Sequence, residues 1–158
     1  LSVGAIPSFN ASAPRGNNDG QYDVFRINVS SITSKAATGQ TRNGSNVADT
    51  LTGGAGADKL IGFDGDDTFN VEIVKSGTGA TAIAIAKHTV IEALGKGNDM
   101  VKLFGSVDGL IKAGTITLAA NVENLDASAT GTTLINLTGN NLNNSLTGND
   151  AANVLTGG

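Results

Sequence analysis

The sequence has no cysteine and no tryptophan, and it has only two prolines in 158 residues. Without cysteine, neither disulfide bonds nor thiolate metal sites can stabilise the fold. Aromatic residues make up only 4% of the chain, and Leu, Lys and Glu are too few for a typical helical bundle. Val, Ile and Leu are nevertheless too frequent for a disordered chain. A bound metal ion is one remaining way to stabilise such a domain.

Basic residues are also scarce. There are 10 Lys and Arg residues against 14 Asp and Glu residues, which gives a net charge of −4. This balance argues against a nucleic-acid partner, because phosphate binding requires clusters of Lys and Arg. No segment is apolar for long enough to predict a membrane span, and residues 1–10 lack the pattern of a signal peptide. The acids concentrate near residues 49–67, which favours cation binding over general solubility.

Catalytic motifs are missing from the sequence as well. No P-loop, H-E-x-x-H, G-x-S-x-G or thiol motif is present. His88 is the single histidine, and it lies in an apolar alternating stretch. A short D-G-D match around Asp64 is not an EF-hand, because the glutamate at the twelfth loop position is absent. We therefore expect the chain not to be an enzyme.

What the sequence does contain is a nine-residue repeat built on glycine. Residues 44–70 divide into GSNVADTLT, GGAGADKLI and GFDGDDTFN, and the middle unit matches G-G-x-G-x-D-x-U-x, where U is a large apolar residue. The same period returns in residues 139–156, with Asn144 and Asn153 at the sixth position. In the first block the first position is glycine and the sixth is aspartate: Gly44, Gly53 and Gly62, with Asp49, Asp58 and Asp67.

This repeat predicts an all-β fold, a parallel β-roll or β-solenoid with degenerate rungs. The glycine-rich first six residues of each unit favour a tight turn, and the last three favour a short strand. Two units form one coil, and stacked coils bury a row of apolar residues between two parallel sheets. The alternation at 78–90 predicts a further strand. One continuous domain is expected, with an N-terminal arm and decayed turn-strand (1–43), acidic repeats (44–70), irregular rungs (71–138) and Asn-type repeats (139–158).

The sixth positions are the candidate metal ligands. On one side of the solenoid they should lie one coil apart, at a strand spacing of about 4.8 Å. Asp49 is then expected to face Asp67, with Asp58 on the other side. Carboxylates this close repel each other, and a hard cation completed by turn carbonyls would remove the repulsion. Asn144 and Asn153 instead predict a hydrogen-bonded ladder between coils.

These residues resemble the haemolysin-type calcium-binding nonapeptide repeats of RTX (repeats-in-toxin) proteins. The resemblance implies Ca²⁺ bound in the turns of a β-roll by Asp carboxylates and loop carbonyls, and export in an unfolded state by type I secretion. For Asp64 and Asp66, ligation and simple solvated acidity are equally supported, and Asp99 is better explained as a turn residue than as a ligand. The full set of candidate metal-site residues is Asp49, Asp58, Asp67, Gly53, Ala55, Gly62, Asp64, Asp66 and Asp99.

Three functions are compatible with the sequence. The first is a calcium-binding module, secreted, extracellular or on the bacterial cell surface, whose folding is coupled to calcium after export. The second is a structural subunit of a surface layer, adhesin or extracellular filament assembled through solenoid ends. A flat ice- or carbohydrate-binding face ranks third, because Lys59 and Ile61 interrupt the row of threonines. Calcium ions are the expected partners, together with either head-to-tail self-association or neighbouring domains of a larger protein.

Overall fold

The computed structural model describes residues 38–94 and 96–158, so most of the predicted N-terminal arm and decayed turn-strand (1–43) lies outside the described residues. Across these ranges no helix meets the length and hydropathy that crossing a bilayer would require. The described chain consists mainly of short strands. They are β1 (Thr41–Asn43), β2 (Thr50–Thr52), β3 (Lys59–Ile61), β4 (Thr68–Ser76), β5 (Ile83–Ala86), β6 (Thr89–Ile91), β7 (Met100–Phe104), β8 (Gly114–Thr117), β9 (Asn124–Ala129), β10 (Ile135–Thr138), β11 (Ser145–Thr147) and β12 (Leu155–Thr156).

The strands stack as parallel rungs on two sides of a coil. One side has the order β11-β9-β7-β4-β2, and the other side is formed by β1-β3-β6 and β12-β10-β8. Leu51 pairs with Phe69 and Phe69 pairs with Val101, so the eighth-position residue of each repeat lies directly against the rung above. The predicted parallel β-solenoid is confirmed, with about five turns. β1 lies inside the segment 1–43, so the described coils begin before the acidic repeats.

The core is the row of apolar side chains that point into the coil. Leu60, Phe69, Leu103, Leu125 and Leu137 are fully buried, one from each of five rungs. In β4 the buried positions alternate with partly exposed ones, as a strand with one inward face requires. Burial of each large apolar side chain stabilises the fold by about 1.5–3 kcal/mol. The core is therefore built from a few apolar residues in each rung, and β4 contributes three of them, Phe69, Val71 and Ile73.

The prediction of one strand over 78–90 is wrong. The chain instead forms a single 3₁₀ turn at Gly79–Thr81, and β5 then runs back antiparallel to β4 before β6 begins. Gly77 and Gly79 have φ angles of +84° and +54°, which glycine adopts without strain, and they reverse the chain here. Apolar alternation identified extended structure but could not reveal this reversal.

The hairpin lengthens one coil without breaking the stack. The sixth-position residues are 18 residues apart between Asp49 and Asp67 but 32 residues apart between Asp67 and Asp99. β4 nevertheless pairs with β7 in register, with Thr68 opposite Met100. Asp99 is therefore carried into line above Asp67, although it lies outside the regular repeats.

Candidate metal centre

Four acids on one side of the solenoid form a hydrogen-bonded ladder, which we call the acidic ladder (Asp49, Asp67, Asp99 and Glu123). The Asp49 amide N–H donates to Asp67 Oδ1 at 2.8 Å, and the Asp67 amide donates to Asp99 Oδ1 at 2.8 Å. The Asp99 amide donates in turn to Glu123 Oε2 at 2.8 Å. The carboxylates of Asp67, Asp99 and Glu123 are thus each held through one oxygen by an amide of the preceding coil, and the second oxygens of Asp67 and Asp99 have no hydrogen-bond partner.

Three acids converge between the turns 62–67 and 92–99, and we call them the buried carboxylate cluster (Asp67, Glu92 and Asp99). One oxygen from each lies within 4.8 Å of the other two. The three residues are 1%, 6% and 0% exposed, respectively. Asp67 Oδ2, Glu92 Oε2 and Asp99 Oδ2 are buried without a hydrogen-bond partner. Buried polar atoms are normally paired, so these three oxygens indicate a missing partner.

Gly62 makes room for this cluster. A Cβ atom at this position would lie 2.1 Å from both Asp67 Oδ2 and Glu92 Oε2. β3 pairs with β6 so that Ile61 lies beside Ile91, which places Glu92 beside Gly62 in the next coil. Because Gly62 has no side chain, the Glu92 carboxylate of the next coil can occupy the space beside it.

Burial dominates the electrostatics of the cluster. Desolvation raises the pKa of Asp67 and Asp99 above the usual value, with further contributions from neighbouring acids. Desolvation also raises the pKa of Glu92 to about 7, although the hydrogen bond from the Ala93 amide opposes it and the Asp99 charge adds to it. Three ionised carboxylates at this spacing are unfavourable without a compensating cation.

Asp58, on the other side of the solenoid, already has protein partners. Its Oδ1 accepts the Gln40 amide N–H at 2.7 Å, and its Oδ2 accepts the Gly54 amide N–H. The Arg42 Nε lies 3.5 Å from Asp58 Oδ2. These hydrogen bonds, the one from Gly54 above all, lower the pKa of Asp58. The carboxylate is therefore stabilised as an anion by the chain itself.

His88 occupies the position above Asp58 that an acid occupies on the acidic ladder. Its Nδ1 accepts the Asp58 amide N–H at 3.1 Å, so the neutral ring carries its proton on Nε2, which is buried without a partner. Burial lowers the pKa of His88. The ring packs on Gly53, where a Cβ atom would lie 2.3 Å from Nε2. A neutral ring at this position brings no second negative charge to Asp58.

The other predicted site residues have more local environments. Asp49 Oδ2 accepts the amide and the hydroxyl of Ser45 at 2.6 and 2.7 Å. Asp64 Oδ1 lies 3.0 Å from Lys96 Nζ. Asp66 Oδ1 accepts the Asn98 amide N–H at 2.9 Å. Ala55 is exposed in the turn between β2 and β3. Asp64 and Asp66 thus join the turn 62–67 to the turn above it.

The Asn-type turns close without acids. Asn153 Oδ1 accepts the Asn149 amide N–H at 2.9 Å, while its Nδ2 donates to the Ile135 carbonyl at 2.8 Å. Asn144 Oδ1 likewise accepts the Asn140 amide N–H at 2.7 Å. Of these bonds, the one from Asn153 to Ile135 joins adjacent coils, as the prediction of a ladder requires. An amide can both accept and donate, whereas an ionised carboxylate can only accept.

Sequence reasoning missed Glu92 and Glu123, and it favoured a turn role for Asp99. Glu92 follows Ile91 as Gly62 follows Ile61, so it stands at the first position of a repeat-like turn. That turn runs from residue 92 to residue 99 and is two residues longer than 62–67, so the nine-residue period does not align it. Strand pairing would have been needed to find these residues.

Comparison with known protein families agrees with this geometry. The model of the RTX calcium-binding nonapeptide repeat matches residues 43–72 and 138–158, in four copies. No curated protein and no solved structure matches the chain. Glu92 and Asp99 lie between the two matched segments. The β-solenoid therefore carries RTX calcium-binding nonapeptide repeats at residues 43–72 and 138–158.

Proposed function

We propose that this chain is an extracellular calcium-binding module whose folding is coupled to calcium after export. The observation that carries the proposal is Asp67, a sixth-position residue inside the matched repeats. Its side chain is 1% exposed, and its Oδ2 has no hydrogen-bond partner. A carboxylate in this position is stable as an anion only with a cation beside it.

The coupling follows from the energetics of the acidic ladder. An unpaired buried charge costs several kcal/mol, which is a large fraction of the stability of a small domain. A calcium ion removes this cost only in the folded state, so its binding free energy adds to folding. Extracellular calcium modules typically bind at about 10⁻⁴–10⁻³ M. A module of this affinity stays unloaded at low calcium and folds when it reaches millimolar calcium outside the cell.

Extracellular location and export by type I secretion are parts of the same proposal, and the RTX repeats support them. We also propose that the role is structural rather than catalytic, as is typical of RTX repeats. The absence of cysteine is consistent with this role, since calcium then stabilises the secreted fold in place of disulfide bonds.

Circular dichroism and thermal melting test the coupling. The chain should gain strand signal and melt at a higher temperature in millimolar calcium than in a chelator, while the same concentration of magnesium has a much smaller effect. Asp108→Asn serves as a control, because it removes an exposed acid outside the acidic ladder, and it should respond to calcium like the wild type. Identical spectra and melting temperatures in calcium and in chelator would refute the proposal.

A further inference from the structure

We propose that Asp67, Glu92 and Asp99 together hold one buried calcium ion between the turns 62–67 and 92–99. This site extends the metal-binding face beyond the nonapeptide repeats, because Glu92 and Asp99 lie outside the matched segments. The choice of calcium rests on the proposed function, whereas the geometry of the three carboxylates stands independently of it.

The backbone orients all three acids in the same way. Asp67 Oδ1 accepts the Asp49 amide, and Asp99 Oδ1 accepts the Asp67 amide. Glu92 Oε1 accepts the Ala93 amide at 2.6 Å. In each side chain one oxygen is thus held by an amide, and the second oxygen is the buried atom without a partner. In the folded chain, backbone amides therefore fix the orientation of all three carboxylates.

One oxygen from each of the three carboxylates lies close enough to the other two for a single cation to contact all three. Calcium–oxygen distances are about 2.3–2.6 Å, so oxygens on opposite sides of one ion are about 4.6–5.2 Å apart. The oxygens of the cluster lie within 4.8 Å of one another. Three carboxylates without nitrogen or sulfur ligands also favour a hard cation over zinc.

A cation at this position would fasten the irregular rungs to the repeats. Asp67 and Asp99 are separated by 32 residues, which include the β4–β5 hairpin. Closing so long a segment costs conformational entropy that the repeats of 18 residues do not incur to the same extent. The bound ion would offset this cost and hold β7 in register on β4.

Glu92→Gln is the test variant, with Asp108→Asn as the charge-matched control. Calcium titration by calorimetry should show the loss of one site or at least about a tenfold weaker affinity, because one of three charges is removed. In chelator the same variant should melt at a higher temperature than the wild type, since a buried repulsion is relieved. A residue with a merely structural role would not produce these two opposite effects. Wild-type affinity and stoichiometry in a folded Glu92→Gln protein would overturn the inference.

Asp49→Asn separates this inference from the proposed function. If Asp49→Asn weakens calcium binding and Glu92→Gln does not, calcium binding by the repeats stands and the buried site is refuted. If the wild type binds no calcium, the proposed function fails. A second measurement uses directly excited Tb³⁺, whose luminescence lifetimes in H₂O and D₂O report the number of coordinated waters. The buried site should give a population with few waters that disappears in Glu92→Gln, and its persistence would overturn the inference.

Discussion

The pH dependence of the calcium-free protein should reveal Glu92 directly. Burial raises the pKa of Glu92 from 4.5 to about 7. Below pH 4.5 the carboxyl group is protonated in both the folded and the unfolded chain. Between these values the unfolded chain releases the proton and the folded chain retains it, so the contribution of Glu92 to stability is lost as the pH rises through about 7. Calcium-free protein should therefore gain stability from Glu92 at pH 5 that it lacks at pH 8.

The size of this effect follows from the pKa difference. A rise from 4.5 to about 7 corresponds to about 3 kcal/mol, taken as an upper value. For a domain of this size, that is a change in melting temperature of about 10 °C. Asp67 and Asp99, whose pKa values are also raised, act in the same direction. His88, whose pKa is lowered from 6.5, contributes stability that is lost as the pH falls, so it acts in the opposite direction. Asp58, whose pKa is lowered from 3.8, contributes stability that is lost only at more acidic pH.

Comparison with Glu92→Gln isolates the Glu92 contribution. Both proteins would be melted in chelator from pH 5 to pH 8, and the difference in melting temperature would be plotted against pH. Asp58 and His88 are present in both proteins, so their contributions largely cancel. The wild type should lose stability relative to the variant as the pH rises, and saturating calcium should abolish that loss. A difference that stays flat from pH 5 to pH 8 would refute the assignment of a buried, desolvated carboxyl group.

Three further predictions concern the site and the assembly. Gly62→Ala should weaken calcium binding at least about tenfold in calorimetry, because the added Cβ would collide with two oxygens of the buried carboxylate cluster. Gly157→Ala is the control and should bind calcium like the wild type, because its added Cβ would meet no other atom. Asp67→Ala should weaken binding more than Asn153→Ala, and equal losses would contradict the division into charged and amide-closed turns. Head-to-tail self-association should be detectable by light scattering in calcium, because β12 pairs only with β10 among the described strands and Leu155 is 47% exposed. A protein that stays monomeric at high concentration in calcium would contradict this prediction.

The repeat made the fold predictable because one period fixes turn, strand and inward residue together. Once Gly62, Asp67 and Phe69 are placed in one unit, the neighbouring units follow with the same spacing. The residues beyond the repeats could not be placed this way. The hairpin after β4 changes the coil length, so only the paired register of β3 with β6 and of β4 with β7 reveals where Glu92 and Asp99 lie.

The same limit applies to Asp58. In sequence it is equivalent to Asp67, since both occupy the sixth position after a glycine-rich turn. In the structure Arg42 and His88 surround Asp58, whereas Glu92 and Asp99 surround Asp67. Neither set of neighbours belongs to the motif, because each comes from the coil below or above. The nonapeptide therefore specifies a position for a ligand, and the adjacent coils decide whether a cation is needed there.

The described turns consequently close in different ways. At Asn144 and Asn153 the amide supplies both the acceptor and the donor that close the turn. At Asp58 the Arg42 guanidinium and backbone amides compensate the charge. In the buried carboxylate cluster the chain supplies no donor for three oxygens. Only this last arrangement depends on an added cation, so calcium should control the middle of the described solenoid while the Asn-type coils stack without it. The Asn-type coils then provide ordered strands, and the calcium-dependent coils complete the strand pairing of the solenoid when calcium binds.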